Sequence, residues 1–431
     1  MVRATSARLP LLRDAHAEQP AGAPRDAVSR MLTSAMLRAD HPAMSLLLGA
    51  LVALAPLAMD IYLPSMPSMT RALSATPDDV QLTISVYMFG WGVAHLVAGP
   101  LSDRHGRKPV LVIGLLVFVA ASIACALSTT LAALVAARFV QAVAMAAVVV
   151  VPRAIVRDLF AGDRAAHMLS TMMLVLSVAP VAAPLVGAEL QLRLGWQASF
   201  AFVAIYGAFA VAAVVLALPE TLATPDHEAL RLRRMLDNWM QALRSREVVG
   251  YLVINTAMTC GLFAFLAGSA FVFVDALASG ERGFALNFGT VMFGNFVGAW
   301  LARRVVIRIG LTRVVAYGSV MVVIAGVSMA SLAWAGMRDP LAVTLPMLLF
   351  MLAYMWIVPQ ATAGALTPFP RMAGSVSSLM SFSQFVTAAG CAYVVGGAYD
   401  GTPRPMATAI ALSAIVALVA FRTLVPRNTR T

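Results

Sequence analysis

The chain has 431 residues, of which 60% are hydrophobic and only 12% are charged, and its formal net charge is +11. Soluble domains are nearer half apolar and a quarter charged, so this composition excludes an ordinary soluble domain and indicates an integral membrane protein. The cations are spread over short loops and do not form one patch interleaved with aromatic residues, which excludes a nucleic-acid partner. Lys108, the only lysine, follows Arg107 and not Gly, which excludes a Walker A loop.

The chain begins with residues 1–42, which are polar and of mixed charge and are predicted to form a disordered cytoplasmic tail. Met31 is an alternative start that would remove most of this tail. Twelve apolar stretches follow, each long enough to cross a bilayer. They lie near 43–65, 80–102, 109–127, 131–155, 166–190, 196–218, 248–275, 284–302, 311–335, 341–363, 372–399 and 404–424. Residues 425–431 are predicted to be a short cytoplasmic tail.

The longest connector between spans is 219–247, and it divides the chain into two sets of six spans. Apolar residues recur in it at helical spacing, which predicts an amphipathic helix lying in the cytoplasmic membrane interface. These residues are Leu232, Met235, Leu236, Trp239, Met240 and Leu243. The sequence therefore predicts an all-α membrane protein with an N-terminal six-helix bundle at 43–218 and a C-terminal six-helix bundle at 248–424.

Loop charges predict the orientation of the chain. Cations gather in the loops near 103–108, 157–164, 231–246 and 303–313, which fall on one side of the membrane. Loops on the other side carry little more than Arg71, Arg193, Arg282, Arg338 and Arg404. By the positive-inside rule the first side is cytoplasmic, and both termini lie there.

Asp60 is the sharpest single candidate for a functional residue, because an acid inside a span is costly and usually faces a cavity or a partner. An interfacial helix cap is the alternative interpretation. Arg138 lies at a similar depth in the fourth span, so the two residues suggest a paired or switchable couple, with a static structural ion pair as the alternative. Tyr62, Tyr87 and Gln141 could line the same cavity.

No pattern in the chain indicates an enzyme. The six His and three Cys residues show no metal-binding spacing, and the motifs H-E-x-x-H and G-x-S-x-G are absent. Cys125, Cys260 and Cys391 are predicted to be buried structural thiols, and His95 to be packed or hydrogen-bonded. The sequence predicts no metal and no cofactor.

The turn Gly99-Pro-Leu-Ser-Asp-Arg-His-Gly-Arg-Lys108 stands between the apolar flanks 80–98 and 109–127. It resembles the signature loop between the second and third helices of the major facilitator transporters. The resemblance implies a facilitator fold and a cytoplasmic latch in which loop charges pair to hold the outward-facing state closed. The latch residues that it implies are Gly99, Asp103, Arg104, Gly106, Arg107 and Asp158.

Two further segments carry the resemblance. Leu134-Val-Ala-Ala-Arg-Phe-Val-Gln141 resembles the fourth-helix motif of facilitators, with Ala142 where that motif has Gly. Ala179-Pro-Val-Ala-Ala-Pro-Leu-Val-Gly187 resembles the fifth-helix antiporter motif of drug exporters. Pro180 and Pro184 free backbone carbonyls and bend the span, and Gly187 belongs to the same motif. This likeness favours export over import.

Within the facilitators, the chain resembles the bicyclomycin/chloramphenicol-resistance (Bcr/CflA) drug exporters. Met59-Asp-Ile-Tyr-Leu-Pro-Ser-Met-Pro67, Arg157-Asp-Leu-Phe160 and Leu218-Pro-Glu-Thr-Leu222 carry this likeness. It implies proton-coupled export of small amphipathic drugs by a monomer in the inner membrane of a bacterium, with drug, protons and lipid as partners. A proton-coupled carrier of one metabolite, such as a sugar, purine or amino-acid derivative, is the alternative within transport. A membrane-embedded enzyme or sensor is the alternative of another class.

Overall fold

The computed structural model describes residues 42–160, 162–226, 232–369 and 372–425. Within these ranges the protein is all-helical, as predicted. The helices are α1 (Pro42–Asp60), α2 (Met66–Ala72), α3 (Pro77–His105), α4 (Arg107–Ala126), α5 (Leu131–Leu159), α6 (Gly162–Leu194), α7 (Gln197–Ala217), α8 (Leu232–Leu243), α9 (Arg246–Phe271), α10 (Gly280–Ile309), α11 (Leu311–Trp334), α12 (Leu341–Leu366), α13 (Ala373–Gly397) and α14 (Arg404–Leu424). The predicted tails lie outside the described residues, apart from Pro42 and Val425.

Eleven helical segments in the described ranges are long and apolar enough to cross a membrane. The first runs from Ala43 to Ala72, because a short 3₁₀ turn at Leu63–Ser65 joins α1 to α2. The predicted eighth span is among the eleven and extends over all of α10. The predicted fifth span lies in α6, which the eleven do not include, so twelve crossings stay a prediction.

Short connections between consecutive helices make the helix directions alternate. Gly106 alone separates α3 from α4, and it has φ +97°, which only glycine adopts without strain. Gly310 joins α10 to α11 in the same way, with φ +80°. A glycine with positive φ thus joins two consecutive helices in each half of the chain. We call the membrane side of the Gly106 joint the loop face and the other side the distal face.

The first half of the chain (α1–α7) meets the second half (α9–α14) at the distal face. The Glu189 carboxylate near the end of α6 accepts two hydrogen bonds from Arg282 in the first turn of α10, at 2.8 and 3.3 Å. Gln81 in α3 lies against Gly396 at the end of α13, and deeper in the seam Gly92 packs on Phe385. The seam between the halves is therefore closed at this face.

The connector after α7 contains the helix α8. Trp239 Nε1 donates to the Ser375 backbone carbonyl at 3.1 Å, and Asn238 donates to Ser375 Oγ at 3.0 Å, so α8 rests on the start of α13. Leu236, Met240 and Leu243 stay exposed. An exposed apolar face on a short helix at the loop face is typical of an interfacial helix.

Candidate functional site

Asp60 is the last residue of α1 and is only 4% exposed. The span continues beyond it to Ala72, so Asp60 lies deeper in the span than the predicted boundary at 65 implied. Among the described residues, no side chain pairs with its carboxyl or donates a hydrogen bond to it. Such an acid is costly in the membrane interior, and acids in such positions commonly mark functional sites.

Arg138 lies at the centre of the first half and is fully buried. Its Nη1 donates to the Ala58 carbonyl at 3.2 Å and to Gln141 Oε1 at 2.6 Å. The guanidinium carbon stands 4.1 Å from the centre of the Tyr87 ring and 4.5 Å from that of Tyr62. Carbonyl acceptors and aromatic faces are the groups that stabilise a desolvated cation. The structure thus gathers all three predicted cavity residues, Tyr62, Tyr87 and Gln141, around Arg138.

The expected ion pair between Asp60 and Arg138 is not formed in this conformation. Arg138 binds the Ala58 carbonyl instead. That carbonyl is one of the last four of α1, which have no donor within the helix, so the guanidinium completes the end of α1. The two charges share a depth in the same half, as the sequence predicted, but they do not touch.

A row of rings on α3 continues from the Arg138 cluster, and sequence reasoning missed it. Tyr87, Trp91 and His95 are spaced one turn apart, with ring centres 6.1 Å and 5.5 Å from one to the next. Trp91 stacks on Phe385 of α13 at 4.5 Å, so this row lies in the seam between the halves. His95 Nδ1 is 2.9 Å from the Trp91 carbonyl, which matches the prediction of a hydrogen-bonded histidine. The spacing of these three aromatic residues, i, i+4 and i+8, is the signal in the sequence from which the row could have been predicted.

The signature loop contains a network centred on Arg107. Arg107 pairs with Asp103 and, through Nε at 2.8 Å, with Asp158 at the end of α5. Its Nη1 also donates to Ser102 Oγ at 2.8 Å. Arg104 is exposed, and the Gly99 carbonyl accepts from Ser102 at 2.8 Å. Asp103, Arg107 and Asp158, three of the residues that the resemblance named as a latch, therefore meet at one place, where they link α3, α4 and α5.

Glu220 completes this network, and the sequence analysis did not assign it a role. Its carboxylate accepts from the backbone N–H groups of Arg107 at 2.9 Å and Lys108 at 3.1 Å, the first two residues of α4. A Cβ on Gly106 would lie 2.6 Å from Glu220 Oε2 and would displace this carboxylate, and φ of +97° itself favours glycine at the joint. The only sequence signal for this role of Glu220 is the position of Pro-Glu-Thr directly after the sixth span.

The predicted antiporter helix is α6, which contains Pro180, Pro184 and Gly187. A Cβ on Gly187 would lie 1.7 Å from the Ile61 carbonyl oxygen. The backbone of α6 therefore lies directly against the residue that follows Asp60. Through this contact α6, which contains Pro180 and Pro184, packs directly on the end of α1, where the buried Asp60 carboxyl lies.

The structure brings together two cysteines that are far apart in the sequence. Cys391 Sγ in α13 donates to the Cys260 carbonyl in α9 at 3.5 Å, and both thiols are free. Across the described ranges, no group of three or more His, Cys, Asp or Glu residues could hold a metal ion.

The model of the Major Facilitator Superfamily matches residues 48–392, so this chain belongs to that family of membrane transporters. It is similar to the bicyclomycin resistance protein homolog of Haemophilus influenzae, with 29% identity over 89% of this chain and 96% of the relative. The chloramphenicol resistance protein of Pseudomonas aeruginosa is 31% identical over 78% of this chain and 79% of that protein. These relatives confirm the resemblance to the Bcr/CflA exporters.

Solved structures confirm the fold. The xylose transporter XylE of Escherichia coli, in a partially occluded inward-open conformation, superposes with a TM-score of 0.72 at 13% identity. The match covers 90% of this chain and 98% of the transporter. A peptide transporter POT matches with a TM-score of 0.73 at 14% identity over 92% of this chain and 97% of that protein.

We predict that Gly187→Ala prevents stable packing of α6 on α1. The new methyl group would overlap a backbone oxygen that cannot rotate away, at a cost of about 1–3 kcal/mol or more. The yield of folded protein and its melting temperature in detergent, both followed by size-exclusion chromatography, should fall. Gly390→Ala in α13, where a Cβ meets nothing within 4 Å, is the matched control and should fold normally. Equal yields for the two variants would contradict the packing argument.

We predict that Glu220→Ala loosens the loop face without preventing folding. The variant removes the acceptor for two N–H groups at the start of α4, a loss comparable to that of an N-cap and worth about 1 kcal/mol. Hydrogen exchange at residues 103–110, followed by mass spectrometry, should become faster. Glu247→Ala, which removes an acid from the first turn of α9, is the control. Unchanged exchange in Glu220→Ala would show that the carboxylate does not hold the joint.

Proposed function

We propose that this transporter is a proton-coupled antiporter that exports small amphipathic drugs across the inner membrane of a bacterium. The observation that carries the proposal is Asp60, a buried carboxyl without a partner among the described residues, adjacent to the α1 end that Arg138 binds. A carboxyl in this position takes up a proton when exposed to the acidic side and releases it when exposed to the other. The names of the resistance-protein relatives support drugs as the cargo.

Alternating access supplies the transport cycle. The first and second six-helix bundles, 43–218 and 248–424, rock about the seam that contains Trp91 and Phe385. In this conformation contacts such as Glu189–Arg282 close the distal face. In the other state the distal contacts part and the halves approach each other at the loop face, where the Arg107 network keeps the ends of α3, α4 and α5 together. The protein works as a monomer with both termini in the cytoplasm, and lipid surrounds the bundles.

The residues of the proposed site have separate tasks. Asp60 binds the proton, and Arg138 sets the electrostatic field in which that proton is held. Tyr62, Tyr87 and Gln141 surround the guanidinium and keep it in place. The antiporter helix α6 transmits movement to Asp60 because its Gly187 backbone touches Ile61.

We predict that Asp60→Asn abolishes proton-driven drug transport, because an amide cannot take up and release the coupling proton. Everted vesicles loaded with a pH-sensitive dye would report collapse of the pH gradient on addition of chloramphenicol. The wild type should collapse the gradient, and Asp60→Asn should not, at equal expression. Asp78→Asn, an exposed acid in the first turn of α3, is the matched control. Wild-type coupling in Asp60→Asn would exclude Asp60 as the proton site.

We predict that a disulfide between Gln81→Cys and Gly396→Cys traps the transporter with its distal face closed. A Cβ on Gly396 would lie 3.2 Å from Gln81 Cβ, close to the separation that a disulfide requires. In a background with Cys125, Cys260 and Cys391 replaced by alanine, oxidation should stop transport and reduction should restore it.

The single cysteine variants provide the control for this experiment, since oxidation should leave their transport unchanged. Full transport by the cross-linked double variant would show that the distal seam does not open during the cycle, which would contradict rocking of the two bundles. Recovery of transport on reduction separates trapping by the disulfide from a folding defect of the double variant.

A further inference from the structure

A cavity of about 690 Å³ lies at the loop face, beside the Gly106 joint. Its walls come from the end of α3, the first turns of α4, the end of α7 and the connector that follows α7. Helices α4 and α7 pack on each other, since Gly207 of α7 lies against Phe118 and Val119 of α4. The cavity is therefore a groove at the loop end of this helix pair, outside the seam between the two halves.

The loop end of the groove carries two cations. Arg104 is exposed in the last turn of α3, and Lys108 is the second residue of α4; both line the groove. The ion pairs in the described ranges involve other cations. Lys108 Nζ donates to the Val215 carbonyl at 2.9 Å, which leaves two of its three N–H groups available. Within the described part of the chain, neither side-chain cation therefore has a counter-charge.

Glu220 supplies a carboxylate to the lining of the groove, but its oxygens are already bound by backbone donors. Oε1 accepts from the N–H groups of Arg107, Thr221 and Leu222, each at 2.9 Å. Oε2 accepts from the N–H of Lys108 at 3.1 Å. Two of these donors belong to the positive end of α4, which offsets the charge of the carboxylate. The missing partner of the two side-chain cations is an anion that the protein itself does not provide.

The other end of the groove is apolar and continues onto the lipid-facing surface. Val112 and Ile113 lie about one helical turn beyond the cationic end, and Val215 lines the groove with them from α7. Ile113 is 61% exposed, and Leu116, a turn deeper in the span, is 52% exposed. A ligand that matches both ends has an anionic group at the loop face and a hydrocarbon chain that runs into the membrane.

We propose that this groove is a binding site for an anionic phospholipid. The phosphate accepts charge-assisted hydrogen bonds from Arg104 and Lys108, and an acyl chain lies on Val112, Ile113 and Leu116. A zwitterionic lipid fits less well, because its ammonium group would lie among the cations, and a free phosphate would leave the apolar wall uncovered. The proposal does not depend on the cargo, on proton coupling or on the direction of transport.

Lipid binding to the purified full chain tests the proposal. Native mass spectrometry would compare phosphatidylglycerol with phosphatidylethanolamine of the same acyl chains, and the wild type should bind the anionic lipid more tightly. The double variant Arg104→Gln/Lys108→Gln should weaken phosphatidylglycerol about tenfold or more, as expected for loss of charge-assisted hydrogen bonds. It should change the affinity for phosphatidylethanolamine much less. Equal affinities of the wild type for the two lipids would overturn the proposal.

The double variant Arg308→Gln/Arg313→Gln is the matched control, because it removes two exposed cations from beside the Gly310 joint of the second half. An equal loss of phosphatidylglycerol affinity in the two double variants would indicate general attraction to the loop face and overturn the site. Arg104→Lys/Lys108→Arg retains both charges and should keep most of the lipid preference. Complete loss of the preference in this folded variant would also contradict the proposal.

Two further measurements distinguish a lipid from a soluble anion. Ile113→Trp leaves both cations in place but fills part of the groove, so it should weaken phosphatidylglycerol several-fold. Unchanged affinity in this variant would show that the acyl chain does not lie in the groove. Inorganic phosphate in large excess should not displace the lipid from the wild type. Displacement would mean that the cations hold a soluble anion, and the lipid assignment would be wrong.

A photoreactive phosphatidylglycerol, with a diazirine in its acyl chain, tests the location in lipid nanodiscs. Its labelling is compared with that of a phosphatidylcholine that carries the same diazirine. The ratio of the two should be higher at residues 109–117 of α4 than at residues 313–321, the corresponding part of α11. Equal ratios would overturn the location. Failure of Asp60→Asn to alter coupling would leave all of these results unaffected, so the two proposals fail separately.

Discussion

The buried guanidinium of Arg138 is the interaction on which the centre of the first half depends. A cation in a membrane interior is tolerated only when acceptors and aromatic faces replace its water. Arg138 obtains them from the last turn of α1, from Tyr87 of α3 and from Gln141 on its own helix. Gln141 in turn donates to Ser122 of α4 at 2.7 Å. Arg138, directly and through Gln141, thus links the four helices α1, α3, α4 and α5. This arrangement sets the position of Asp60 at the end of α1.

The two membrane faces are held by different chemistry. At the distal face, close backbone approach and a largely exposed ion pair join the two halves of the chain, and exposed pairs contribute little stability each. Such a seam can open at low cost. At the loop face, Arg107 and Glu220 bind groups within the first half through several hydrogen bonds. This difference suits a molecule in which the halves move as units while the loop joint keeps its shape.

The polar groups of the seam are distributed unequally between the halves. The first half holds the buried charges Asp60 and Arg138, together with donors that have no acceptor among the described residues. The second half offers aromatic rings from α9 and α13. A cargo with one polar or charged end and one apolar end would be oriented by this asymmetry before either half moves, which supports the proposal of amphipathic substrates.

The sequence by itself determined the class of protein, because hydropathy over twenty residues, loop charge and the charged glycine turn are local properties. It also singled out Asp60, Arg138 and the loop residues, since a charge inside an apolar run is visible without a fold. Only the tertiary structure decided what those charges touch. Whether Arg138 meets Asp60 or Ala58, whether Glu220 reaches Gly106, and whether Cys260 lies beside Cys391 depend on contacts between distant segments. The packing of the helices against one another sets these contacts, and one-dimensional patterns do not encode that packing.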